Sequence, residues 1–122
     1  MIPNLLQRDF TTERPNQKWR IDISYLFGKQ RTVYLCTIKD MYDKSIIAYQ
    51  MSRFINMSLV INTLNKAVDI VPKKQRKGLI LHSDQGVHFT NQQYRYSLNE
   101  QHIRHSVSYK GSCVDNCPFL SN

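Results

Sequence analysis

From Trp19 the chain alternates. Trp19, Ile21, Ile23 and Tyr25 fall on one side of an extended segment, and Arg20, Asp22, Ser24 and Leu26 on the other. This is the two-residue period of a strand with one buried face, so WRIDISYLF (19 to 27) is predicted as a strand. GKQR breaks the pattern, and TVYLCTIKD (32 to 40) then carries apolar side chains on both faces, as an interior strand does. MYDK turns the chain again into SIIAYQMS (45 to 52). Three strands joined by short turns predict an antiparallel meander.

After Asn56 the period changes. Leu59, Val60, Leu64, Ala67, Val68 and Val71 recur at steps of three and four, which predicts an amphipathic helix stopped by Pro72. GLILHSD (78 to 84) is short and nearly all apolar, which suits a buried strand lying parallel to its neighbour after a helical crossover. A second helix is expected over about 91 to 101, where Tyr94 and Leu98 are four apart, and a last strand over HIRHSVS (102 to 108). The order βββαβαβ describes an α/β protein with a mixed sheet, three antiparallel strands followed by parallel additions.

A chain of 122 residues with 41% hydrophobic residues can bury one core and has no room for a second. No apolar run reaches the roughly 20 residues that span a bilayer, so a soluble protein without a membrane partner is expected. MIPNLLQRDF lacks the parts of a secretion signal, and the odd count of 3 cysteines fits reduced thiols; both favour the cytoplasm. Lys and Arg number 17 against 9 acids, a net charge of +8, which favours a polyanionic partner, with nucleic acid first. Within KKQRK, Lys73, Lys74, Arg76 and Lys77 form the one tight basic cluster; with Arg104 and Lys110 they are candidate contacts to DNA phosphates. A solvated loop explains the cluster equally well.

Two aspartates stand where a fold alone would not choose them. Asp is depleted in strands, yet Asp22 lies in the middle of the first strand and Asp84 ends the apolar run GLILHS. If those strands are neighbours, both carboxylates emerge near strand ends, where open α/β sheets bind ligands. Converging carboxylates repel unless a cation lies between them, and Mg²⁺, which prefers oxygen ligands, fits. Paired Mg²⁺ ions are the machinery of phosphodiester chemistry. The alternative is structural: Asp22 pairs with Arg20, and Asp84 caps a turn with Gln85 and Gly86.

Other chemistry-bearing residues have plainer explanations. His102, His105, Cys113 and Cys117 are zinc-ligand types at an unusual spacing, and two histidines three apart in a strand point to opposite faces. Cys36 lies inside an apolar strand and reads as core filling rather than a nucleophile. Asp40 and Asp43 suit turn chemistry. His82 is two residues before Asp84 and shares its strand face, while His88 lies beyond it.

WRIDISYL, YLCTIKDMYDKSIIAY, LHSDQGVHFT and SYKGSCVDNCP together resemble, in order and spacing, the signature blocks of bacterial insertion-sequence transposases with a retroviral-integrase-like catalytic core. The resemblance runs from about Asn4 to Pro118. It implies a ribonuclease H-like fold, a DDE active site dependent on Mg²⁺ or Mn²⁺, and cleavage and joining of DNA, with transposon ends and target DNA as partners. Asp22 matches the first family aspartate and Asp84 the second, which makes both the implied catalytic and metal-holding residues.

The family's third acid is a glutamate, with 35 residues between it and the second aspartate; here that position is Leu120. Leucine cannot ligate a metal, so the second ion would lose its anchor and metal binding should be weakened. The resemblance also places residues 1 to 17 as an N-terminal extension and 18 to 122 as a catalytic core whose C-terminal helices are missing. It therefore implies a transposase core fragment, truncated at both ends and inactive in strand transfer. Such a core would leave an apolar sheet face exposed and self-associate, or pair with intact transposase. A non-catalytic DNA-binding or transposase-inhibiting module and a metal-dependent nuclease of the same fold are the alternatives. A cytoplasmic, nucleoid-associated protein is expected in each case.

Overall fold

The computed structural model describes residues 3–6, 11–28, 32–84 and 86–108. The three-strand pattern folds as its periods require: β1 (Lys18–Phe27), β2 (Thr32–Asp40) and β3 (Ile46–Ser52) pair antiparallel in chain order. The turn from β2 into β3 is fixed by side chains. Asp40 is buried; its carboxylate accepts the Asn16 and Tyr42 N–H groups, while Asp43 accepts from both the backbone and the hydroxyl of Ser45. Asp43 and one oxygen of Asp40 thus serve the local turn, as turn chemistry predicts, while the other Asp40 oxygen ties the turn to Asn16 ahead of β1.

Helix α1 (Met57–Ile70) begins where Asn56 supplies its side-chain oxygen to the Leu59 N–H at 3.1 Å. It ends at Val71, ahead of Pro72, whose ring cannot continue the ladder. A single 3₁₀ turn, Lys73–Gln75, leads to Gly78, whose φ of +68° is a conformation that glycine adopts without strain. The chain then enters β4 (Ile80–Asp84), the short helix α2 (Val87–Thr90), helix α3 (Gln92–Glu100) and β5 (Arg104–Ser108). The sheet order is β3-β2-β1-β4-β5, with β4 parallel to β1 and β5 parallel to β4.

The face of the sheet bearing Trp19, Ile21, Cys36, Ile38, Ala48 and Leu81 packs with Leu59, Val60 and Leu64 of α1 and with Tyr94 and Leu98 of α3 into one core. The burial of Trp19 is completed by a polar tether, because its indole N–H donates to Asn16 at 3.0 Å. Leu26, Tyr49 and Met51 lie on the opposite face and are exposed. These three side chains give that face of the sheet an exposed apolar surface. On the β5 side the same face is partly tied down by the N-terminal segment: Leu5 donates its N–H to Ser106 Oγ, Val107 donates to the Pro3 carbonyl, and Leu6 is buried.

Two expected elements shift. The helix expected over 91 to 101 starts at Gln92, because Asn91 caps it through Gln93 N–H, and a separate short helix precedes it. The last strand starts at Arg104 rather than 102. His102 instead takes φ +58° just past α3, where the Ile103 N–H closes back on the Leu98 carbonyl at 2.9 Å. This is a left-handed helix ending with histidine in the place usually given to glycine.

Candidate functional site

The parallel pairing of β1 with β4 sets Trp19 beside Leu81 and Arg20 beside His82. Residues two apart in a strand share a face, so Asp22 and Asp84 follow Arg20 and His82 on the same side of the sheet. This side faces away from the core of Trp19, Ile21 and Leu81. Asp84 stands at the carboxyl end of β4, and its side chain is 63% exposed; that of Asp22, in mid-strand, is 39% exposed. The fold therefore brings together the two aspartates that the sequence singled out.

A cation already lies between them. Arg20 Nε is 3.1 and 3.3 Å from the two oxygens of Asp22, and its Nη2 is 3.0 Å from Asp84 Oδ1. The sequence suggested an Arg20–Asp22 pair but not the reach to Asp84, because that contact depends on the β1–β4 register. The available signal was positional: Arg20 precedes Asp22 by two, as His82 precedes Asp84 by two. One bridging cation shows that both carboxylates can face a single positive centre, and their hard oxygens suit a divalent ion. Among the described residues no third His, Cys, Asp or Glu joins them.

Behind Asp84 the same sheet face is polar but closed. His82 is buried, with Nδ1 2.7 Å from Ser106 Oγ, which also accepts the Leu5 N–H at 2.8 Å. The serine hydroxyl thus links the strand histidine to the N-terminal segment. His88, on α2, is half-buried.

The expected phosphate contacts divide. Lys73, Lys74 and Lys77 are exposed around the turn after α1, and exposed Arg104 places one guanidinium nitrogen 2.9 Å from the Gly78 carbonyl. Arg76 corrects the expectation. It is only 6% exposed, and its guanidinium donates to the Val71 carbonyl and to both the carbonyl and the side-chain oxygen of Gln101. It ties the end of α1 to the end of α3 and has no surface to offer a phosphate. Lys110 and Leu120 lie outside the described residues, as do Cys113 and Cys117 of the candidate zinc set.

His105 faces the core side and meets the Tyr94 ring edge-on at 5.1 Å. Burial, with smaller effects of Arg95 and His82, pushes its pKa down to about 4, so the ring is neutral near pH 7. Cys36 is fully buried, and desolvation pushes its thiol up to about 11 despite a hydrogen bond from Thr63. It is a core residue without thiolate character.

Comparison with known proteins agrees with this architecture. Residues 12–113 match the model of the integrase core domain. An uncharacterized transposase-like protein of Haemophilus influenzae is 39% identical over 118 residues, covering 97% of this chain and 53% of that protein. Transposase InsF for insertion sequence IS3A of Escherichia coli is 34% identical over 113 residues, covering 93% of this chain and 38% of that protein. The chain thus spans about half or less of the length of these relatives. Among solved structures, a simian T-cell lymphotropic virus intasome chain superposes with a TM-score of 0.70 at 18% identity, covering 87% of this chain and 39% of that one. The HTLV-2 integrase catalytic core domain in complex with magnesium gives 0.66 at 19%, covering 86% and 66%. These likenesses establish the expected ribonuclease H-like fold. No helix among the described residues is long and apolar enough to cross a membrane. With most of its length matched by the family model and by insertion-sequence transposases, this chain belongs to the integrase core domain family.

Proposed function

We propose that this chain is the core portion of a transposase-type polynucleotidyl transferase, in which Asp22 and Asp84 hold a divalent cation, Mg²⁺ or Mn²⁺, against DNA. The observation that carries this reading is the pair of carboxylates on one sheet face, close enough to share the Arg20 guanidinium. The magnesium complex of the HTLV-2 integrase core supports the choice of ion. When bound, such an ion supplies Lewis-acid stabilisation of charge on phosphate oxygens. The chain's own residues do the rest. β1 and β4 fix the two carboxylates, and Lys73, Lys74, Lys77 and Arg104, with Lys110, contact DNA phosphates without reading sequence.

With Leu120 at the third acidic position, the chain binds DNA of transposon ends and targets but does not join strands. Residues 1 to 17 lead into a core domain of residues 18 to 122 that acts in the cytoplasm at the nucleoid. The exposed Leu26, Tyr49 and Met51 support pairing with a second copy or with intact transposase, as does the solution of the HTLV-2 core in a dimeric form. The test is a strand-transfer assay on DNA carrying the element's own ends, with Mg²⁺ or Mn²⁺, beside a DNA-binding titration over salt. Salt-dependent binding without joined product is expected. Turnover that Asp22→Asn abolishes would overturn the inactive assignment, and hydrolysis of generic DNA without joining would favour a nuclease.

A further inference from the structure

We propose that Arg20 is a built-in cation that closes the Asp22–Asp84 site in the metal-free protein, so that a divalent ion enters only by displacing its guanidinium. The inference rests on the reading of Asp22 and Asp84 as the metal-holding pair and concerns how that site is regulated.

Three observations carry it. The first is occupancy. The guanidinium uses both oxygens of Asp22 and Oδ1 of Asp84, at 3.1, 3.3 and 3.0 Å, and these are the oxygens that a divalent ion bridging the two carboxylates would draw on. Arginine and a divalent ion would therefore compete for the same pair of carboxylates. The second is shape. The planar fork points Nε at one carboxylate and Nη2 at the other, a two-pronged reach that the single ammonium of lysine cannot reproduce. Because Arg20 and Asp22 are two apart on β1 and His82 and Asp84 two apart on β4, the β1–β4 register sets this reach.

The third is accessibility. The Arg20 side chain is 25% exposed and that of Asp84 63%, so the bridge lies at the surface, where ion pairs are weak enough to open. The guanidinium can thus swing toward solvent without unfolding the strand. Its positive charge has two effects on the site: it relieves repulsion between the carboxylates when no ion is present, and it opposes the arrival of one.

The experiment titrates MgCl₂ into the full-length chain and into Arg20→Gln by calorimetry, after circular dichroism and thermal melting establish that the variant is folded. Removing a unit charge from contact with the site should tighten Mg²⁺ binding by on the order of tenfold. Equal or weaker binding overturns the proposal. A second measurement needs no variant. In ¹⁵N-labelled wild type the Arg20 Nε–H should exchange slowly with water in EDTA and faster on Mg²⁺ addition, whereas exchange unchanged at saturating Mg²⁺ overturns the proposal. Equal Mg²⁺ binding by both proteins removes the Arg20 role and leaves the metal site standing. Absence of binding in both removes the metal site as well.

Discussion

Arg20 stands opposite His82 in the parallel β1–β4 register, and two residues further along each strand stand Asp22 and Asp84. The four side chains thereby share one face, yet only His82 is buried. Asp22 and Asp84 are half-exposed and exposed, so their ion pairs with Arg20 contribute little to folding. Asp22→Asn and Asp84→Asn should each change the unfolding free energy by less than about 1 kcal/mol in urea denaturation. A loss of several kcal/mol would make these aspartates structural.

Arg76 and its lysine neighbours separate stability from DNA affinity. Arg76 is buried and donates to three acceptors, so Arg76→Ala strands the Val71 and Gln101 carbonyls and should cost about 2 to 4 kcal/mol. Lys73→Ala, Lys74→Ala and Lys77→Ala should stay within roughly 0.5 kcal/mol of wild type. Each should lower the salt slope of DNA binding by about one unit. Equal stability loss for Arg76 and the lysines would contradict this division.

Much of this was legible in the sequence, for physical reasons. The alternation in β1 and the three-four spacing in α1 encode buried faces directly, and the short apolar run of β4 after a helical crossover encodes a buried parallel strand. Asp22 and Asp84 were visible as acids in strand positions that a fold has no reason to fill with aspartate. What escaped depends on tertiary register or on local caps. Arg76 reads as one cation among four in KKQRK, and only the approach of Gln101 makes it a buried tie. His102 carries a strand-like neighbourhood but sits in a left-handed helix ending closed by the local Ile103 N–H bond to the Leu98 carbonyl. The reach of Arg20 to Asp84 crosses 64 residues of sequence and needs the sheet to be seen.

His105 makes stability depend on pH in a definite direction. Its folded pKa of about 4 lies below the ordinary 6.5, so between these values the unfolded chain binds a proton that the folded one refuses. This contribution is complete above pH 6.5, declines as pH falls toward 4, and then levels off. Arg95 and His82 act in the same sense. Unfolding free energies of His105→Phe, measured against wild type across that window, should fall less steeply with acid. Parallel curves would contradict the assignment.

The Tyr94 hydroxyl is buried and has no hydrogen-bond partner among the described residues. The ring itself packs against Phe89 at 5.7 Å and His105 at 5.1 Å. Tyr94→Phe therefore keeps the packing and removes an unpaired polar group, and should be neutral or stabilising by up to about 1 kcal/mol in thermal unfolding. Tyr94→Ala, which opens a cavity, should cost about 3 to 5 kcal/mol. A clear loss on Tyr94→Phe would reveal a partner for the hydroxyl.

The central claim is that Asp22 and Asp84 together form one divalent-cation site on the sheet face. Calorimetric titration of Mn²⁺ into wild type and into the double variant Asp22→Asn/Asp84→Asn tests it most directly, because the variant keeps the fold and the shape of the site while removing its charge. The account predicts weak binding of one ion per wild-type chain and none by the variant. Indistinguishable titrations of the two proteins would contradict it.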